Sequence, residues 1–240
     1  RARGAAHRVV ASVFVNPLQF GPGEDYRRYP RPIRADRRLL ADAGVDLLWE
    51  PRVEDLYPDG DLTRVHVERL EDRIEGAARP GHFVGVATVV LKLLNVVTPD
   101  VLWLGQKDAQ QARVIERMCG DLLLPVRVRR GGTVREPDGL AFSSRNRYLQ
   151  SVDRAQAVAL SRALRAARAA LTGGERSAAR IRSAARRAMK KFPRVREDYV
   201  VVVDAATFEP VRVVRGRVLV AIAARVGAAR LIDNFEWGRA

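Results

Sequence analysis

Residues 101–118 read VLWLGQKDAQQARVIERM. An apolar run, Val101 to Leu104, stops at Gly105, and Gln106, Lys107 and Asp108 follow at once. In an open α/β sheet, ligands sit beyond the carboxyl ends of the strands. Gly105 would let a ligand approach the backbone there. A helix start behind it would present free N–H groups and a positive dipole end, both suited to phosphate. Lys107 adds a mobile point charge, and Asp108 can accept from ribose hydroxyls. Gln111, four residues after Lys107, is expected on the same helical face. Its amide can donate to a carboxylate and accept from a hydroxyl. Taken alone, the stretch reads equally as a solvated helix start. A second cluster, DGLAFSSRN, puts Ser143, Ser144 and Arg145 together as a donor set for phosphate oxygens. Asp138–Gly139 supplies the turn that presents them. Alone, it is a serine-rich loop with one arginine. A third, FVNPLQFGPGEDYRRYPR, leaves the end of the first predicted strand. Asn16 and Gln19 are neutral donor–acceptor groups like Gln111, and three converging amides would suit a ligand with a carboxylate and hydroxyls. By itself, Asn16–Pro17 is turn chemistry.

The elements that must position these groups alternate along the first half. Val9 to Val15 is a β-branched run, expected as a buried strand. Residues 33–43 are predicted helical, stopping at Gly44. VDLLWEP is a second strand ended by Pro51, residues 83–97 a helix, VLWLG a third strand, 107–120 a helix and PVRVRR a fourth strand. The pattern predicts an open parallel sheet with helices on both faces. After Gly131–Gly132 the chain turns loop-like. Two Ala- and Arg-rich helices follow, with Ser151 and Ser177 as expected N-caps and ends near Gly173–Gly174 and Pro193. DYVVVVD, RVLVAIAARV and ARLIDNF are strand candidates, the last two split at Gly227 as in a hairpin. The expected division is a nucleotide-binding domain over 1–133 and a smaller α+β domain over 134–240.

The chain has 240 residues, 47% of them hydrophobic, enough for a real core. No uncharged apolar stretch is long enough to cross a bilayer, and one cysteine excludes an internal disulfide. The expectation is a cytoplasmic protein without membrane partner. The net charge of +15 invites a nucleic-acid reading. The arginines are scattered, however, and residues 162–191 carry no aromatic platform beside them, so a solvated basic surface or anionic small substrates fit better. Dinucleotide and phosphate-loop glycine motifs, HExxH and GxSxG are absent. His7, His66 and His82 are dispersed, and Cys119 falls on an apolar helical stripe, so no residue is assigned to a metal.

Five ordered segments, SVFVNPLQFGPGEDYRRYPR, RPGHFVGVATVVLKLLNVVTPD, LGQKDAQQ, TVREPDGLAFSSRNRYL and ARLIDN, resemble the pantothenate synthetase (pantoate–β-alanine ligase) family. The resemblance spans essentially the whole chain. It implies a Rossmann-like domain with a smaller C-terminal domain and a cytoplasmic homodimer. It also implies a reaction joining pantoate to β-alanine with ATP and Mg²⁺ through a pantoyl-adenylate, releasing AMP and pyrophosphate. Carried over by residue, Gly105, Gln106, Lys107 and Asp108 match the ATP turn, with Lys107 on phosphate and Asp108 on ribose. Val134 matches a backbone contact to adenine, and Phe142, Ser143, Ser144 and Arg145 match the loop over the triphosphate. Gln19 and Gln111 match pantoate-binding glutamines, Gln19 also lying near β-alanine, and Asn16 lines that pocket. The segment with Glu75, Arg79 and His82 matches a flap without assigned roles. Gln106 stands where the family usually has Glu. RARGAAHR reads as the end of a helix begun earlier, without the family's first strand and H-x-G-H segment, so the chain is expected to be a fragment. Two further readings stay open: a non-catalytic remnant, and a related nucleotidyl-transfer enzyme acting on another small acid.

Overall fold

The computed structural model describes residues 1–238. The chain divides into two compact units, residues 1–104 with 113–131, and residues 105–112 with Gly132 onward.

In the first unit the opening residues form a turn, closed by Ala5 N–H on the Ala2 carbonyl at 2.9 Å. That bond spans three residues, one short of an α-helical ladder. Strand β1 (Val10–Ser12) pairs in parallel with β2 (Leu47–Trp49), Val10 opposite Leu47 and Ser12 opposite Trp49. Helix α1 (Ile33–Asp42) lies between them and stops at Gly44, whose φ of 75° is left-handed. Short helices α2 (Val53–Leu56) and α3 (Glu75–Ala78) precede the long α4 (His82–Val97). Strand β3 (Val101–Gly105) pairs with β4 (Arg127–Gly131), and α5 (Ala109–Asp121) runs between them in sequence. The core takes Phe83, Val86, Ala87 and Val89 from α4 and Val114, Ile115, Met118 and Cys119 from α5. Cys119 is therefore packing, and burial pushes its thiol up.

Two expectations change here. The β-branched run 9–15 yields a three-residue strand with Val10 exposed, not a long buried one. The four strands form two two-stranded ribbons instead of one continuous sheet, because β1 pairs with β2 and β3 with β4. A strand paired on one edge lacks the second ladder and the double packing that bury a central strand.

In the second unit, β5 (Val195–Asp204), β6 (Val218–Val226) and β7 (Ala229–Trp237) form an antiparallel meander. Gly227 makes the β6–β7 turn at φ 55°. A Cβ there would fall 2.1 Å from Asp153 Oδ2, so only glycine fits. Helices α6 (Ser151–Ala157), α7 (Ala159–Thr172) and α8 (Ala178–Met189) supply Ala157, Leu160, Leu164, Leu171, Ile181 and Met189 to a core shared with Val200, Val220 and Ile222. Ala159, Ala163, Ala167, Ala178 and Ala185 are fully buried among them, and their small side chains let the helices approach closely.

The first predicted Ala/Arg helix is two helices, because Val158, with ψ −11°, interrupts the helical ladder. Gln150, not Ser151, occupies the first N-cap position. Ser177 does cap α8 in position, but its hydroxyl makes no capping bond; Glu175 Oε1 instead accepts from the Ser177 and Arg176 backbone N–H groups at 2.8 and 2.9 Å.

Candidate active site

Asn16 anchors the amide cluster of the first unit. It is 2% exposed, and its side chain is committed within the protein. Its Oδ1 accepts from Leu18 N–H at 3.2 Å and from the Tyr57 hydroxyl at 2.8 Å. Its Nδ2 donates to the Gly85 carbonyl at 3.0 Å and lies 3.4 Å from Gln19 Oε1. Asn16 thus shapes the 3₁₀ turn Pro17–Gln19 and orients the Gln19 amide. Burial, with the Asp61 charge adding to it, pushes the Tyr57 phenol up to about 12, so it stays a donor. The turn lies directly on α4, and Gly85 makes that possible: a Cβ there would meet the Leu18 carbonyl oxygen at 2.4 Å.

Below this turn is a cluster that sequence reasoning left without roles. Arg79 forks onto Glu24 at 2.7 and 2.6 Å, and its Nη2 also donates to the Gln19 carbonyl at 3.0 Å. His82 Nδ1 reaches the same carbonyl at 2.8 Å, and its Nε2 lies 3.1 Å from Arg79 Nη1. A carbonyl only accepts and a guanidinium only donates, so Nδ1 carries the proton and Nε2 is bare. The ring is neutral: burial first, and the Arg79 charge second, hold its pKa below the usual histidine value. Burial would raise the Glu24 carboxyl, but the Arg79 fork outweighs it and lowers it. Glu75, also buried, stands 3.8 Å from Arg79. In the sequence, resemblance alone marks Glu75, Arg79 and His82 as one segment; Arg79 lies between α3 and α4, where Pro80 and Gly81 break the helix. The targets of Arg79 and His82, Glu24 and the Gln19 carbonyl, are far away along the chain.

The second unit gathers the other candidates. Gly105, Gln106, Lys107, Asp108 and Gln111 belong to it, together with Val134 and Phe142–Arg145. Gln106–Asp108 form one 3₁₀ turn, and α5 starts only at Ala109. Lys107 therefore sits on the 3₁₀ turn, and Gln111 on the α-helix that follows it directly. No atom lies within 4 Å of where a Gly105 Cβ would stand, so space is open in front of that backbone. The Lys107 side chain is 20% exposed, and its Nζ lies 3.5 Å from Asp108 Oδ1. The segment read as a loop is a tight hairpin. Arg135 bridges Ala141, Phe142 N–H donates to the Val134 carbonyl at 2.9 Å, and Gly139 turns the tip at φ 97°. Val134 and Phe142 stand at its base, 69% and 63% exposed, two large apolar side chains in water. Ser143 then caps a 3₁₀ turn, Ser144–Tyr148, its Oγ accepting from Arg145 N–H at 3.3 Å. Both 3₁₀ turns pack on β7. Among the described residues no group of three His, Cys, Asp or Glu side chains is arranged to hold a metal.

Parallel ribbons flanked by helices, followed by a helix-covered antiparallel meander, define a Rossmann-like α/β protein with a C-terminal α+β unit. The family is particular. The Pantoate-beta-alanine ligase model matches residues 1–236, and the chain belongs to that family. It is 53% identical to the pantothenate synthetase of Heliobacterium modesticaldum over 98% of this chain and 83% of that protein. Crystalline pantothenate synthetase from Thermus thermophilus superposes with a TM-score of 0.96 at 50% identity, over 99% of this chain and 86% of that one. The Francisella tularensis ligase, solved with beta-gamma ATP and beta-alanine, superposes at 0.77 with 32% identity, over 98% and 81%.

Proposed function

We propose that this protein condenses pantoate with β-alanine at the expense of ATP, through a pantoyl-adenylate. A pantoate carboxylate oxygen attacks the α-phosphorus, and pyrophosphate leaves with the electron pair of the broken P–O bond. The β-alanine amine then attacks the acyl carbon, loses a proton and expels AMP. Both nucleophiles come from substrates, which accounts for a candidate site made of amides, a lysine, serines and an arginine. The observation that carries this reading is the grouping of the Gly105–Asp108 turn and the Val134–Arg145 segment in one compact unit, both 3₁₀ turns lying on β7.

In this reading Lys107 and Arg145 compensate the phosphate charge and Ser143 and Ser144 donate to its oxygens. Asp108 takes the ribose, and the Val134 backbone and exposed Phe142 receive the base. By family resemblance Gln111 and Gln19 are each assigned to pantoate, and Asn16 orients the Gln19 amide. Alignment of two bound reactants can lower a barrier by roughly 7–11 kcal/mol, and one fixed donor at the developing charge by about 3–4 kcal/mol. Mg²⁺ belongs to the substrate here, as MgATP, held by phosphate oxygens and water. By family resemblance we also place the protein in the cytoplasm as a homodimer, which sedimentation equilibrium checks.

The test is pantoate-dependent exchange of labelled pyrophosphate into ATP. Lys107→Ala is expected to slow exchange on the order of 10²–10³-fold, the cost of a lost transition-state donor, with an unchanged melting temperature. Full exchange in that variant contradicts the assignment. Exchange with another small acid but not pantoate would move the substrate, and none with any acid would leave the non-catalytic reading.

A further inference from the structure

The ARLIDN segment at the chain's end has no role in the reaction as set out above, yet its acid and amide are among the most buried polar groups. Asp233 is 2% exposed and Asn234 6%. They are neighbours on β7, opposite Ile222 and Ala221 of β6, in the antiparallel sheet of the second unit. Asn234 Nδ2 donates to the Lys107 carbonyl at 2.7 Å. Asn234 Oδ1 lies 3.4 Å from Gln106 Nε2, which also reaches Glu236 Oε1 at 3.3 Å. Asp233 accepts a two-pronged bond from Arg135 at 2.6 and 2.9 Å, and its Oδ1 accepts from Asn234 N–H at 2.8 Å. Arg135 Nη1 donates further to the Gly139 carbonyl at 3.0 Å, tying down the hairpin tip. Two adjacent side chains on one strand thus hold two segments that are remote in sequence, the Lys107 turn and the Val134–Phe142 hairpin.

We propose that Asp233 and Asn234 are positioning residues for the nucleotide: Asn234 sets the Lys107 turn, and Asp233, through Arg135, sets the hairpin carrying Val134 and Phe142. The inference rests on the reading that these two segments bind ATP. A lysine on a 3₁₀ turn has few backbone restraints of its own. Removing the bond to its carbonyl lets the turn, and with it Nζ, drift relative to the hairpin, and a displacement of about 1 Å at such a site can cost on the order of 10²-fold. The buried pair does so without touching substrate.

The experiment compares Asn234→Ser, Asn234→Ala, Arg135→Lys, Lys107→Ala and the Lys107→Ala/Asn234→Ser double variant. Each is checked for folding by thermal melting and titrated with a non-hydrolysable β,γ-imido ATP analogue and with β-alanine. Arg135→Lys keeps the charge and loses the fork, so it tests the hairpin arm if the Asn234 variants fold poorly. Asn234→Ser is expected to weaken analogue binding and raise the ATP KM about tenfold or more, within the range for misplaced groups, with the β-alanine KM unchanged. Added to Lys107→Ala it should cost little more, since residues acting through one another are non-additive. Wild-type analogue affinity in folded Asn234→Ser and Arg135→Lys proteins overturns the proposal. So do losses that multiply independently in the double variant. If Lys107→Ala alone binds the analogue normally, the ATP assignment of the turn fails as well, and that result separates the two failures.

Discussion

One carbonyl oxygen, that of Gln19, receives both the Arg79 guanidinium and the His82 ring, and the charge state of the ring decides whether the arrangement holds. The groups facing His82 are Arg79, Glu24 and Glu75. A proton added at Nε2 would point at the Arg79 donor 3.1 Å away. Because the folded ring titrates below its unfolded value, the unfolded chain binds more protons at acid pH. The stability contribution is complete above about pH 6.5, the free histidine value, and is lost as pH falls from there through the lower folded pKa. Glu24 adds a loss of the same sign below about pH 4.3. We expect the pantoate KM to rise only below about pH 6.5, as the pH approaches the lowered pKa of the folded ring, while the ATP KM follows less, and His82→Asn to remove that inflection. An unchanged pantoate profile in His82→Asn would separate the ring from Gln19. These partnerships were only half legible in sequence. The resemblance groups Glu75, Arg79 and His82 in one segment, but a backbone carbonyl as the common target leaves no trace in residue identity. Gln106 is a clearer case. The resemblance marks it as a departure from Glu, and the structure gives a reason: a carboxylate there would face Glu236, to which the amide donates.

At the scale of elements, the Pro17–Gln19 turn and α4 meet through the missing side chain of Gly85. Gly85→Ala would drive a methyl group into the Leu18 backbone, and helix α4 cannot yield easily because Phe83, Val86 and Val89 are buried beside it. The expected outcome is a raised pantoate KM and a stability loss of about 1–3 kcal/mol, the usual cost of overpacking, read by kinetics and urea unfolding. The strands and helices themselves were largely written in the sequence. Short apolar runs gave β2, β3 and β5 to β7, and Gly44 and Gly227 marked real stops. What local pattern could not convey was pairing. Nothing in residues 9–15 says that β1 bonds to β2 alone, and nothing in 107–111 distinguishes a 3₁₀ turn from the first turn of α5. Those outcomes depend on contacts with segments distant along the chain, such as the Asn234 bond to the Lys107 carbonyl.

Over the whole molecule, the alanine and arginine bias separates by face. Alanines of α7 and α8 line the core, while arginines such as Arg162, Arg180 and Arg187 stay on the surface. Leu171 is fully buried at the end of α7, and Leu171→Ala should cost about 2–5 kcal/mol by leaving a cavity, measured as a drop in the urea midpoint. Much of the basic charge is paired locally, as in Arg186 with Glu197 and Arg154 with Glu136 and Asp138. Arginines so paired have less free charge for a duplex, so any binding to generic DNA should be weak and vanish with salt. Tight, salt-resistant duplex binding would reopen the nucleic-acid reading.

The central claim is that the acid, and no side chain of the protein, takes the adenylyl group. It predicts where an oxygen atom goes. Pantoate labelled with ¹⁸O in its carboxylate, turned over with ATP and β-alanine, should yield AMP carrying one ¹⁸O on phosphorus, seen by mass spectrometry or by the ³¹P isotope shift. Unlabelled AMP alongside newly formed amide product would contradict it.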